Sequence, residues 1–168
     1  YYGRGPWENY ADRKSSAFLD RYTSPINEMV TRYVLPQENG HHTDTRWLAL
    51  TRKSGNGLLF VAYDLFEFNV SNYLLETITN GESLNNDAPA GTAPRNKHIS
   101  DYRPSDVVDL FIDHRMQGVG GNNSWGKLPL EEYLIRPGEA SATYGFTLIP
   151  IRNRKEVERH ILSSSTEN

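Results

Sequence analysis

The chain has 168 residues, long enough for one domain and short for two. With 18 Lys+Arg against 21 Asp+Glu its formal net charge is −3, a balance that argues against a nucleic-acid groove or an anionic membrane surface, since each needs a basic face. The longest unbroken apolar run, residues 58–63, is far short of the roughly 18 that a membrane span requires, and the absence of cysteine excludes disulfides, thiolate nucleophiles and cysteine-held metals.

Ten Tyr, six Phe and three Trp suit a β-rich domain, because aromatic side chains fill a pleated, half-buried surface. The opening Tyr1-Tyr2-Gly3-Arg4 has neither an initiator methionine nor a charged-then-apolar leader, and is expected to be an internal point of a longer protein. Residues 1–25 are polar and turn-rich, and with Trp7, Tyr10 and Phe18 among them the segment is expected to pack across a sheet. Val30, Thr31, Tyr33 and Val34 predict a strand over residues 28–35, stopped by Pro36. Asn39-Gly40 signals a turn, and residues 46–51 read as the strand returning from it. Ser54-Gly55-Asn56-Gly57 is a second turn, after which residues 58–63 read as a continuously buried strand.

Phe66, Phe68 and Val70 alternate with Glu67 and Asn69, giving one apolar strand face, and Ser71 is placed to cap a short helical turn over residues 72–77. Residues 80–105, rich in Pro, Gly, Asn and Ser, form one long loop, a feature that in compact domains is functional or disordered. Residues 108–116 alternate with period two and run directly into the glycine-rich stretch 118–126. Ala142, Tyr144, Phe146 and Leu148 alternate again before Pro150, and Val157 and Ile161, four apart, predict a short surface helix in a polar tail. The expected architecture is an all-β, sandwich-like domain over residues 1–152, with residues 153–168 as a polar C-terminal tail.

The stretch 118–126 is not a dinucleotide-type phosphate cradle, since no GxGxxG opens a helix and no Walker lysine follows. Its glycines permit unusual backbone, and it presents Asn122, Asn123, Ser124 and Trp125 together. Amides and a hydroxyl beside an indole suit a sugar: the indole covers the apolar C–H face of a pyranose while the polar groups bond its hydroxyls. The competing reading is a turn whose Trp125 folds back into the core.

Arg4, Trp7, Glu8, Asn9, Tyr10, Asp12 and Arg13 form a dense polar-aromatic cluster. It reads either as a binding face or, as expected here, as groups pairing with one another and with turn backbone. His41 and His42 are adjacent, so on a strand they point to opposite faces and make a poor metal pair. Asp106, Asp109 and Asp113 do not single out a facing carboxylate pair for acid/base work, and no Ser-His-Asp arrangement stands out. Catalysis by this segment alone is not expected.

Gly3-Arg4-Gly5-Pro6-Trp7-Glu8-Asn9-Tyr10-Ala11-Asp12-Arg13 resembles the G-x-G-P-x-E-N-Y-x-D-R signature of the large bacterial β-galactosidases of glycoside hydrolase family 2. The resemblance continues through Tyr33-Val34-Leu35-Pro36-Gln37-Glu38-Asn39-Gly40 and Thr45-Arg46. It resumes at Gly118-Val119-Gly120-Gly121-Asn122-Asn123-Ser124-Trp125, where the family has G-x-G-G-D-D-S-W. It implies the latter part of a C-terminal antiparallel β-supersandwich, similar to the galactose mutarotase fold, in an enzyme hydrolysing terminal β-D-galactosides.

By the same resemblance the two catalytic glutamates belong to a TIM-barrel domain absent from this chain. Neither Glu8 nor Glu38 is one of them, and the fragment alone is expected to be inactive. The resemblance assigns Trp125 the role of an aromatic platform reaching toward the barrel's sugar site, with Ser124, Asn123 and Asn122 beside it. Asn122-Asn123 departs from the family's usual two aspartates. The divalent and monovalent cations the family uses are bound mainly elsewhere, so no cofactor is expected in this segment. Expected partners are the remaining domains of the parent chain, the galactoside and further copies of the chain in a homo-oligomer.

Overall fold

A computed structural model describes residues 1–34, 37–75, 103–123, 125–138 and 143–164. Strands β1 (Tyr2–Gly5), β2 (Phe18–Arg21), β3 (His42–Thr51), β4 (Gly57–Ser71), β5 (Asp109–Asp113) and β6 (Phe146–Ile151) form one sheet, followed by helix α1 (Arg154–Ser164). Every strand pairing among them is antiparallel. The order is β2-β1-β3-β4, and the far edge of β4 is shared, its first half pairing with β6 and its last residues with β5.

The β3–β4 hairpin follows from its turn. Arg52 N–H donates to the Asn56 carbonyl at 2.9 Å and Gly55 N–H to the Arg52 carbonyl at 2.8 Å, with Gly55 at φ 90°. The ladder runs regularly from Thr51↔Gly57 to Trp47↔Val61, then shifts register twice toward His42↔Phe68. Asp44, at φ 52°, sits within this irregular stretch, and a bulge is where such a conformation is tolerated. Its carboxylate is held there by Arg4 and by Lys14 Nζ, the latter at 2.9 Å.

Alternation on β3 and β4 divides the apolar residues between two faces. One face carries Leu48, Phe60, Phe66, Phe68 and Val70, closed over by Tyr1 and Met29. The other carries Trp47, Leu59 and Ile151, closed over by Val157 and Ile161 of α1. The expected 3.6-residue spacing therefore does produce a helix, and it packs back on the sheet. Its start is secured by Asn153 Oδ1, which accepts from Lys155 N–H at 3.0 Å, and by Glu156 Oε2, which accepts from Arg152 N–H at 2.9 Å.

Four expectations need correction. Residues 1–25 do not pack across a sheet but supply two of its strands, β1 and the edge strand β2, and of Trp7, Tyr10 and Phe18 only Tyr10 is buried. The strand expected over residues 28–35 is not formed over its described part, 28–34: a 3-10 turn covers Ile26–Glu28, Met29 enters the core, and residues 30–34 are irregular. Thr31 N–H is taken by Asn39 Oδ1 at 2.9 Å instead of by a neighbouring strand. Residues 58–63 are not continuously buried, because Leu59 and Phe60 face opposite cores while Leu58 and Tyr63 are exposed. The strand expected over 108–116 is confined to Asp109–Asp113, and by Met116 the backbone has left the ladder, its N–H donating to Glu67 Oε2 at 2.6 Å.

Residue Ala142 and most of the loop 80–105 lie outside the described residues. The helical turn over 72–77 falls partly outside them. Within them, Ser71 Oγ accepts from Tyr73 N–H at 2.9 Å. Strand β6 continues through Pro150, which costs no ladder bond on a strand that pairs, among the described residues, with β4 alone.

Candidate functional site

The glycine-rich loop leaves β5 and is pinned along its first half. Gly118 N–H donates to the Tyr133 carbonyl at 2.9 Å. Val119 N–H and Gly120 N–H donate to the two oxygens of one carboxylate, Asp12 Oδ1 at 3.0 Å and Oδ2 at 2.8 Å. The Arg13 guanidinium donates to the Gly120 carbonyl. Gly120 and Gly121 have φ of 68° and 82°, the left-handed region that side chains avoid.

In the second half, Asn123 Oδ1 accepts from Trp125 N–H at 2.9 Å and from Lys127 N–H at 3.3 Å. This is an Asx-type turn, and asparagine makes it as well as the aspartate expected by resemblance. Asn122 is exposed beside it, and Ser124 lies outside the described residues. The Trp125 indole is 91% exposed. It is not folded back into the core; Trp47 occupies that role, packed with Leu59 and Ile151.

The N-terminal cluster does pair internally and with backbone. Asn9 is buried, donating to the carbonyls of Arg4 and Trp7 and accepting from Thr43 N–H at 3.1 Å. Glu8 accepts from Gly40 N–H at 2.7 Å and from the hydroxyls of Tyr10 and Tyr33. Burial, followed by the nearby Glu8 charge, drives the Tyr10 hydroxyl pKa well above its ordinary value, so it stays a neutral donor. Tyr10 stacks on His41 at 5.4 Å, and His41 Nε2 lies 2.9 Å from Glu67 Oε2. His42 points to the other face, between Tyr1 and Phe68, so the two imidazoles do not converge. Among the described residues no group of three or more His, Asp or Glu converges as cation ligands.

The sequence reading did not find Asp12 and Arg13 as partners of the loop. They stand more than a hundred positions from it, and no local pattern links the two. Two concavities among the described residues lie away from Trp125. One lies under Glu38, Asn39, Asn69 and Asp109, and the other is an open dip beside Lys53, Arg154 and Lys155. The first holds about 20 Å³, room for about one water and not for a sugar ring.

These features define an all-β antiparallel domain whose clamped glycine loop displays the Trp125 indole; Trp7, in the N-terminal cluster, is exposed as well. Residues 1–148 match the family described as beta galactosidase small chain, and the chain belongs to that family. It is 33% identical over 154 residues to a beta-galactosidase of Priestia megaterium, covering 90% of this chain and 13% of the relative. It is 32% identical over 146 residues to a beta-galactosidase of Pseudoalteromonas haloplanktis, covering 87% of this chain and 12% of the relative. A beta-galactosidase of Vibrio cholerae is 35% identical over 135 residues, covering 80% of this chain and 11% of the relative.

Proposed function

We propose that this chain is an accessory part of a β-galactosidase acting on terminal non-reducing β-D-galactosides, with Trp125 as an aromatic platform at the mouth of a sugar site. The catalytic carboxylates of a retaining mechanism would lie in another, TIM-barrel domain, and the 168-residue segment alone would be inactive. One observation carries the reading: the Trp125 indole is exposed on a loop whose backbone is fixed by Asp12, Arg13 and Asn123. An exposed indole gains nothing for the fold, whereas it offers a flat apolar surface to the C–H face of a galactose ring. Asn122, Asn123 and Ser124 would supply polar contacts beside it, and no cofactor is assigned to this segment. Its partners would be the remaining domains of the enzyme and further copies in an oligomer.

Stacking on one aromatic side chain is worth about 1–3 kcal/mol, by analogy with base stacking. Trp125→Ala in the full-length enzyme is therefore expected to raise KM for a nitrophenyl galactoside about tenfold, with Trp125→Phe intermediate. Unchanged kinetics in Trp125→Ala would overturn the platform.

A second reading, a self-sufficient galactoside-binding module, draws on the clamps being internal to this chain. One face of one indole would give only millimolar affinity or worse. Saturable lactose binding by the isolated chain at lower concentration would favour it.

A further inference from the structure

We propose that Asp12 and Arg13 are positioning residues for the Trp125 platform, holding the loop that carries it and never touching the sugar. This inference rests on the platform reading above and specifies how that site is kept in place. A segment with glycines at 118, 120, 121 and 126 has more backbone freedom than any other described stretch of its length, and ordering it when a sugar arrives would cost affinity. Asp12 removes that freedom in advance. Its two carboxylate oxygens take the N–H groups of two successive residues, Val119 at 3.0 Å and Gly120 at 2.8 Å, a charge-assisted arrangement that fixes both peptide planes. Arg13 closes the clamp from the opposite polarity, donating to the Gly120 carbonyl.

The steric fit is specific to this clamp. A Cβ added at Gly118 would lie 2.7 Å from Asp12 Oδ2 and 2.8 Å from Tyr133 Cβ, and one at Gly121 would lie 2.7 Å from an Arg13 guanidinium nitrogen. Gly118 is thus required for close approach, and Gly120 and Gly121 for their left-handed backbone. The base of the clamp is rigid in turn. Arg13 N–H is bonded to the Tyr10 carbonyl at 2.7 Å, Tyr10 stacks on buried His41, and Asn9 is locked to Thr43 on β3. Four residues beyond Gly121 the chain reaches Trp125, whose own N–H is held by Asn123. A path of short bonds therefore runs from the sheet to the indole, and Asp12 with Arg13 is its long-range link.

The test uses the full-length β-galactosidase carrying this chain, with Asp12→Asn, Arg13→Lys and Trp125→Ala made singly and Asp12→Asn combined with Trp125→Ala. Asp12→Asn keeps the shape but loses the charge and one acceptor. It is expected to raise KM about three- to tenfold with kcat changed less than about twofold. Arg13→Lys keeps the charge and should recover most of the wild-type KM. In the Trp125→Ala background, Asp12→Asn should add almost nothing, because both changes remove the same contact. Additive losses would overturn the positioning role. Amide hydrogen exchange provides a readout independent of activity: the 118–121 segment should exchange about tenfold faster in Asp12→Asn while β3 and β4 are unchanged. Unchanged exchange in that segment overturns the clamp even if Trp125 proves to be the platform. Faster exchange with a kinetically silent Trp125→Ala overturns the platform reading and, with it, the functional part of this inference.

Discussion

His42 and Asp44, two residues apart on β3, respond to acid through different physics. His42 is buried, neither ring nitrogen has a hydrogen-bond partner, and burial followed by the adjacent His41 lowers its pKa from 6.5 to about 3. As pH falls below 6.5 the unfolded chain takes up a proton that the folded chain refuses until about pH 3, so stability is full above pH 6.5 and declines through that window. For Asp44, burial works to raise the carboxyl pKa, but bonds from Arg4 and Lys14 outweigh it and hold the pKa below 3.8, so its contribution is lost only in stronger acid. Between pH 6.5 and 5 the His42 effect alone amounts to about 2 kcal/mol. Urea unfolding at those two pH values should show a loss of that size, and His42→Leu, which removes the titrating group, should flatten it. An equal loss in His42→Leu would assign the acid sensitivity to another group. At this scale the sequence showed the site only in part. Trp125 was legible because the glycines and amides beside it are its neighbours in the chain, whereas the clamp on them from Asp12 and Arg13 is a product of the fold.

The β3–β4 hairpin separates two reasons for a glycine. Gly55 has φ 90° and nothing closer than 3.5 Å to an added Cβ, so Gly55→Ala should cost only the left-handed strain, about 1–2 kcal/mol. At Gly57 an added Cβ would lie 1.9 Å from the Leu50 carbonyl oxygen, a backbone atom that cannot move without breaking the ladder. Gly57→Ala should therefore cost more, about 3 kcal/mol. Thermal unfolding of the two variants should rank them in that order, and equal losses would mean the hairpin end yields easily. The turn could be read from Ser54-Gly55-Asn56-Gly57 because its bonds close within five residues. Residues 28–35 misled for the converse reason. Val30, Thr31, Tyr33 and Val34 have the composition of a strand, but a strand exists only beside a partner, and here the Asn39 side chain satisfies Thr31 instead. Period two within 108–116 likewise gave the direction of β5 and not its end, which is set where Glu67 takes the Met116 N–H.

At the scale of the whole molecule the question is what covers the two faces of one sheet, since a sheet with apolar residues on both sides needs a layer against each. Helix α1 supplies one layer, over Trp47, Leu59 and Ile151. The other face is closed at one end by Tyr1 and Met29, but near the β3–β4 turn Leu58 and Leu148 remain 40% and 50% exposed, with half-buried Leu50 beside them. These three lie on the same face as Phe60, two of them on neighbouring paired strands, so they form a continuous apolar stripe. In a supersandwich a second sheet would lie there. In a purified sample of the 168 residues the only apolar surface available is another copy, so the stripe should drive self-association. Leu148 stands on β6 beside its cross-strand partner Phe60, its side chain half in solvent, and Leu148→Glu should place a charge in the contact. Light scattering at a concentration of about 100 μM should then show an oligomer for the wild-type chain and a monomer for Leu148→Glu. A wild-type monomer would mean that the exposed stripe is too small to hold two copies together, while an oligomer in both would move the contact to a strand edge such as β2.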